Sequence, residues 1–253
     1  MNFMAVTESE TLRKLSPEEI QFYHDYGYLK VDGVFPPEEL ASIDSELSRL
    51  REDPEQKDDS DDNFILRLGL RSRLTRSLCQ DERLLALIEK LVTPGIAIYS
   101  SKMMEKQPFD KKVCHWHQDD AYYRENSECD CRMSIWLPLQ DCDESNGCLW
   151  IVPESHKWGL KEASTRDNGN CRKAFADGHD PMDGAISVPI RAGSVVLFHA
   201  LTWHRSLGNH SDQRRRAFII SYQDALTPRG NKDQHKILRP VDSADTHYPD
   251  PSG

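Results

Sequence analysis

Residues 193–218 read GSVVLFHALTWHRSLGNHSDQRRRAF. The apolar run Val195-Val196-Leu197-Phe198 behind Gly193-Ser194 has the length and composition of a buried strand. His204 follows it, and eleven residues later Arg215 opens a second apolar run, Ala217-Phe218-Ile219-Ile220-Ser221-Tyr222. Upstream, HWHQDD at 115–120 contains His117-Gln118-Asp119. Side-chain direction in a strand repeats every two residues, so His117 and Asp119 are expected on one face. With His204 the set is two imidazoles and one carboxylate, the facial triad that holds non-haem Fe(II) and leaves three positions open. Arg215 has the planar fork that grips the far carboxylate of a 2-oxo acid at two points.

The surroundings of these residues read as strands. Ile96-Ala97-Ile98-Tyr99 precedes the His-x-Asp pair, and Arg132 to Leu139 and Cys148 to Val152 follow it. Ligands at strand ends in a β-rich half are what a barrel mouth would gather. His115 lies two before His117 and competes with it, and His199 and His210 compete with His204. Among Arg214, Arg215 and Arg216, alternation points Arg215 away from its neighbours, which are expected at solvent or an acidic surface.

Four stretches carry a resemblance to the phytanoyl-CoA dioxygenase family, which includes ectoine hydroxylase. They are LSPEEIQFYHDYGYLKVDGVFPPEEL at 15–40, HWHQDD at 115–120, WLPLQDCDESNGCLWIVPESHKWG at 136–159 and the opening stretch at 193–218. The resemblance implies an Fe(II)/2-oxoglutarate-dependent dioxygenase on a double-stranded β-helix, a jelly-roll, cupin-like barrel buttressed by N-terminal helices. It implies His117, Asp119 and His204 as iron ligands and Arg215 as the anchor of 2-oxoglutarate, with Ser206 assisting. Trp136 matches an aromatic beside the cofactor, and Lys102 a pocket-lining position that could equally be an exposed strand-edge lysine. Asn146-Gly147 matches a turn between barrel strands and is itself a hairpin signal. A carboxylate at Asp119 leaves no vacant position for halide on iron, which favours hydroxylation. Where the family usually has Pro-Gly-Ser-His, this chain has Pro153-Glu154-Ser155-His156, which puts the turn geometry in question.

The helical signals lie in the first third. Ser16-Pro17-Glu18-Glu19 is a capping box with proline at the first helical position, and Leu15 is placed to staple onto Ile20. That helix is expected to stop at Gly27, before a strand over 28–31. Leu40, Ile43, Leu47 and Leu50 form the buried stripe of a second helix from Pro37. A third is expected over 81–91. The domain plan is one unit over 1–253, with helical scaffold over 10–95, barrel over 96–226 and a polar tail over 227–253. The acidic stretch 52–62 reads as a solvated loop, with an alternative role at the mouth, and 163–185 as an irregular insertion of lid type.

The 253 residues carry a net charge of −10 with a mean hydropathy of −0.68. That balance argues against a nucleic-acid groove, and no apolar run approaches the ~18 residues of a membrane span. Met1 to Glu8 lack the features of a signal peptide, so a cytoplasmic location is expected. The seven cysteines lack a disulfide framework's spacing and are expected as free thiols; Cys129-Asp130-Cys131 hints at metal without a second pair. The expected partners are O2 and a small-molecule substrate, polar because His115, Trp116, Asp120, Tyr122, Tyr123, Arg124 and Trp203 surround the ligands in sequence. Two other classes fit less well: a non-catalytic metal-binding barrel, and a metalloenzyme independent of 2-oxoglutarate.

Overall fold

Strict alternation along three central strands divides the molecule into two cores. The computed structural model describes residues 12–53, 63–123, 129–165, 169, 171–181, 183–226 and 237–241. The first part runs α1 (Pro17–Tyr26), β1 (Tyr28–Val31), α2 (Pro37–Glu52), β2 (Phe64–Leu66), α3 (Leu68–Arg71), α4 (Arg73–Cys79) and α5 (Glu82–Ile88). The barrel follows as β3 (Ile96–Lys106), β4 (Cys114–His117), α6 (Asp120–Tyr123), β5 (Met133–Pro138) and β6 (Leu149–Ile151). A 3-10 turn (Ser155–Trp158) precedes β7 (Ala163–Thr165), β8 (Lys173–Phe175), β9 (Ile186–Val188) and β10 (Val195–His199). β11 (His204–Ser206), β12 (Arg215–Gln223) and β13 (Ile237–Arg239) complete it.

All pairings are antiparallel. The larger sheet has the order β1-β10-β5-β12-β3-β13, with β2 also on β3, and the smaller has β4-β11-β6-β9. Met133, Ile135, Leu137, Val195, Leu197, Phe218 and Ile220 turn outward, into a core shared with Leu40, Ile43, Leu47, Leu50 and the apolar residues of α5. Ser134, Trp136, Val196, Phe198, Ala217 and Ile219 alternate with them. Trp136, Val196, Phe198, Ala217 and Ile219 pack inward against Cys114, Leu149 and Ile151 of the smaller sheet. This is a jelly-roll barrel with helices on the back of one sheet. A fully buried leucine or isoleucine contributes roughly 1.5–3 kcal/mol, so the helical layer holds that sheet by several such side chains.

Local signals position the layer. Ser16 Oγ accepts from Glu19 N at 3.3 Å and Ser16 N donates to the Glu19 carboxylate at 3.0 Å, closing the capping box. Gly27 ends α1 at φ 78, and a Cβ there would stand 2.4 Å from His156 Nδ1. Only glycine fits, and its carbonyl accepts Thr202 Oγ at 2.8 Å, tying the helix end to the loop before His204. Arg83 bridges from α5 to Glu39 of α2 at 2.6 Å.

Several expectations change. Residues 64–79, without a sequence assignment, form β2 and two short helices. Asn146-Gly147 is not a two-residue hairpin: it lies in a turn carrying the chain from β5 in one sheet to β6 in the other. Residues 237–239 of the polar tail pair with β3. Within 163–185, β7 and β8 form an antiparallel pair. Glu154 adopts φ 66, keeping the left-handed turn that a glycine would have taken. The acidic stretch from Pro54 to Asp62, Arg124, residues 166–168 and the tail beyond Val241 lie outside the described residues.

Candidate metal centre

The smaller sheet and the turn beyond its edge strand assemble the three residues. β4 ends at His117, so Asp119 stands in the turn entering α6 and not, as expected, on the same strand. His204 begins β11 directly opposite His117, and their ring centroids are 4.1 Å apart. One ligand atom from each of His117, Asp119 and His204 can be chosen so that all lie within 4.8 Å of one another. All three are buried, at 4 %, 2 % and 4 % exposure.

Neighbouring groups fix which atoms face inward. His117 Nδ1 lies 2.8 Å from the His115 carbonyl and His204 Nδ1 2.9 Å from the Thr202 carbonyl. A carbonyl only accepts, so each Nδ1 carries the proton and each Nε2 keeps its lone pair. Ser134 Oγ donates to Asp119 Oδ2 at 2.5 Å, while Asp119 Oδ1 is 3.9 Å from His204 Nε2 and 4.0 Å from Lys102 Nζ. Burial, with His204 adding to it, holds His117 down to about 3, and burial also lowers His204. Burial alone would raise Asp119; Lys102, the two histidines and the Ser134 bond outweigh it and hold the carboxyl below its usual value. Two neutral imidazoles and one carboxylate are therefore ready to ligate without first losing protons.

The competing histidines stand elsewhere. Between the pairs His204–His117 and Ser206–Cys114, β4 has one residue more than β11, a bulge that breaks the alternation placing His115 with His117. His115 instead lines a small cavity with Trp116, Phe175, Asp180 and Arg205. His199 Nε2 bonds the Asp130 carbonyl at 2.9 Å, and His210 is exposed.

Arg215 is fully buried on the inward-facing register of β12, with its guanidinium 5.6 Å from the Trp136 ring. Nη2 donates to the Gly147 carbonyl at 2.7 Å, while Nε and Nη1 have no partner among the described residues. Ser206 Oγ is likewise buried and unpartnered. Leaving such groups unpaired costs about 1–3 kcal/mol each, more for a charged one, and a carboxylate ligand would remove that cost. Lys102 lies inside the barrel with Nζ 6.0 Å from the Tyr122 and Tyr123 rings, not at an exposed edge. The donor set thus fits Fe(II), and the unspent donors fit a dicarboxylate.

Arg214 stands where expected, but Arg216 and several of the lip residues do not. Arg216 is buried because its face of β12 is covered by α2: it pairs with Glu105 and reaches Asp44 at 3.1 Å. Arg214 meets the same Asp44 at 2.7 Å near the surface. Asp120 is buried against Arg132 and does not line the mouth. Trp116 and Trp203 pack in a separate aromatic cluster with Phe175, on the side of Arg205, because Arg205 alternates with the inward His204 and Ser206. Cys114 and Cys171 are joined as a disulfide, against the expectation of free thiols, which removes the support those thiols gave to a reducing compartment. No described helix is long and apolar enough to cross a membrane.

Two contributors escaped the sequence reading. Ser134, buried beside Asp119, could have been found as the polar residue at an inward position of an otherwise apolar strand. Gln118, the middle residue of the motif, donates to the Gly159 and Leu201 carbonyls at 2.9 and 2.7 Å and accepts from Lys161 N at 2.8 Å. It pins the loops leading from the 3-10 turn and into β11, and nothing in a single sequence marks that role.

A family model described as Phytanoyl-CoA dioxygenase (PhyH) matches residues 23–217. A probable alpha-ketoglutarate-dependent hypophosphite dioxygenase of Stutzerimonas stutzeri is 28% identical, over 82% of this chain and 78% of that protein. An ectoine dioxygenase of Streptomyces anulatus is 25% identical, over 81% and 77%. Among solved structures, the non-heme alpha ketoglutarate dependent carbocyclase SnoK from nogalamycin biosynthesis superposes with a TM-score of 0.73 at 24% identity, covering 92% of this chain and 89% of that one. EctD from S. alaskensis, solved with 2-oxoglutarate and 5-hydroxyectoine, gives 0.70 at 19%, over 86% and 80%. At these identities the structural likeness speaks for the fold.

Proposed function

The chain belongs to the phytanoyl-CoA dioxygenase family, and we propose that it hydroxylates an unactivated C–H bond of a polar small molecule through iron held by His117, Asp119 and His204. It is an Fe(II)- and 2-oxoglutarate-dependent dioxygenase. When bound, the iron supplies O2 activation coupled to oxidation of 2-oxoglutarate: one oxygen atom enters succinate, CO2 leaves, and the other oxygen enters the substrate.

The chain's own residues bind and orient. The neutral Nε2 atoms and Asp119 Oδ1 are the donors for iron, and Ser134 holds the carboxylate in place. The observation that carries the cosubstrate assignment is Arg215, wholly buried with Nε and Nη1 lacking partners among the described residues beside one bond to Gly147. Arg215 and Ser206 take the distal carboxylate of 2-oxoglutarate, with Trp136 packed along the guanidinium. Lys102 lies near Asp119, Tyr122 and Tyr123, and its charge and those phenols favour a polar substrate over a long aliphatic one. The Asp119 carboxylate occupies the position a halide would need, which supports hydroxylation.

The reading is tested anaerobically by adding Fe(II) and then 2-oxoglutarate to metal-free protein. A weak visible metal-to-ligand charge-transfer band is expected in wild type and should weaken in Arg215→Ala. Iron binding without a band would remove 2-oxoglutarate from the site and favour a non-catalytic metal-binding barrel or a metalloenzyme of another class.

A further inference from the structure

Away from the iron ligands, Cys129, Cys131 and Asp224 bring a second set of donor atoms together. The two Sγ atoms are 3.4 Å apart, and one carboxylate oxygen of Asp224 lies within 4.8 Å of both. The residues come from two segments, the loop entering β5 and the end of β12, and each is half-buried. Cys131 Sγ also approaches the Thr93 carbonyl at 3.4 Å. The sequence offers only the Cys-x-Cys pair; the fold supplies the carboxylate.

Two thiols at this separation are in contact without being bonded, unlike Cys114 and Cys171. Sulfurs bound to one tetrahedral zinc at ~2.3 Å stand roughly 3.8 Å apart, so a small side-chain rotation suffices.

We propose that Cys129, Cys131 and Asp224 form a second metal site, separate from the iron centre and taking a soft divalent cation of the zinc type. Two sulfurs and a carboxylate select zinc, whereas the two imidazoles and carboxylate of the other site suit iron. Three protein donors leave the fourth position to water. The site clamps the connection that carries the iron carboxylate: Arg132, next to Cys131, is buried in its ion pair with Asp120, next to Asp119.

Cobalt(II) is the probe. Added to reduced full-length protein, it should give a thiolate-to-cobalt charge-transfer band that zinc displaces. The iron triad contains no sulfur and cannot produce it. In the double variant Cys129→Ser/Cys131→Ser the band should vanish and tightly bound zinc should fall by one equivalent. Cys114 and Cys171 are retained there, so any signal from them persists in both proteins. Asp224→Asn should keep the band and weaken zinc about tenfold or more, since a lost ligand costs at least what a lost outer partner does. The iron–2-oxoglutarate band reports whether the double variant is folded; if it is not, the zinc affinity of Asp224→Asn decides. No sulfur band in wild type, an equal band in a folded double variant, or an unchanged affinity in Asp224→Asn overturns the proposal.

Discussion

Ser134 Oγ donates to Asp119 Oδ2 at 2.5 Å, and Ser221 Oγ lies 2.9 Å behind it. The Asp119 carboxylate is therefore held from the opposite sheet, across the barrel. Ser134→Ala should weaken Fe(II) binding about 10–100-fold, the usual effect of losing an outer-shell partner, with a smaller effect on turnover at saturating iron. Anaerobic iron titration of both proteins checks it. Equal affinities would mean that Asp119 is oriented by its turn alone.

Arg215 is a buried cation with no carboxylate in ion-pair contact among the described residues. Asp110 acts on it only from a longer distance, and burial holds the guanidinium below its usual value. Replacing an uncompensated buried charge by an apolar side chain is neutral or stabilising. Arg215→Met should therefore leave the ligand-free melting temperature unchanged or higher. In metal-loaded wild type, 2-oxoglutarate at a hundred times its dissociation constant should raise stability by about 2.7 kcal/mol, roughly 5–10 °C for a chain of this size. The variant should show no such rise. Differential scanning fluorimetry with and without 2-oxoglutarate distinguishes the outcomes, and a variant that still responds would place the cosubstrate elsewhere.

Burial holds His117 down to about 3, so it stays neutral in the fold at pH 5 to 7. It also lowers His204, which takes up its proton at a lower pH in the fold than in the unfolded chain. In the unfolded chain they protonate near ~6.5. Their contribution is fully present above that pH and is lost as pH falls toward the folded values, because the unfolded state then binds more protons. The slope approaches about 1.4 kcal/mol per pH unit for His117, and His204 adds to it in the same direction. Metal-free protein should lose melting temperature between pH 7 and 5, and His204→Gln should flatten that loss. An unchanged slope would assign the acid sensitivity to other groups.

Gln118 makes three hydrogen bonds while only 1 % exposed. Gln118→Leu strands two carbonyls and one amide, at about 1–3 kcal/mol for each that water cannot reach. Urea unfolding should show a loss of a few kcal/mol, and iron affinity should fall with it because His117 and Asp119 flank this anchor. Gln118→Glu keeps the acceptor but sets a carboxylate oxygen against two carbonyls at a buried position, and should cost at least as much at neutral pH. Iron affinity untouched by Gln118→Leu would confine the residue to stability.

The stripe Leu40, Ile43, Leu47 and Leu50 was readable because one helix face meets one core and water covers the other. The capping box was readable because both partners lie within four residues of each other. His117, Asp119, His204 and Arg215 stood out because the His-x-Asp pair, the distal histidine and the arginine lie in stretches that resemble one family. Alternation along an apolar strand gave the inward register of Arg215. Arg216 was misplaced for an instructive reason: alternation says which way a side chain points, not what covers that side. The bulge in β4 displaced His115, and bulges leave no mark in a single sequence. Ser134, Gln118 and Asp224 act through partners 15 to 95 positions away, beyond the reach of any local pattern.

Arg215 and Arg216 are neighbours that face opposite sides of one strand, the first into the barrel and the second into the helical layer. Deleting or inserting one residue between them and the bulge at Ser221/Tyr222 would invert every side chain on that stretch. The grip on the barrel's contents and the anchor of α2 would exchange places in one step. This strand can therefore drift over evolutionary time only by substitution, and changes in length among relatives should collect in the connections around it.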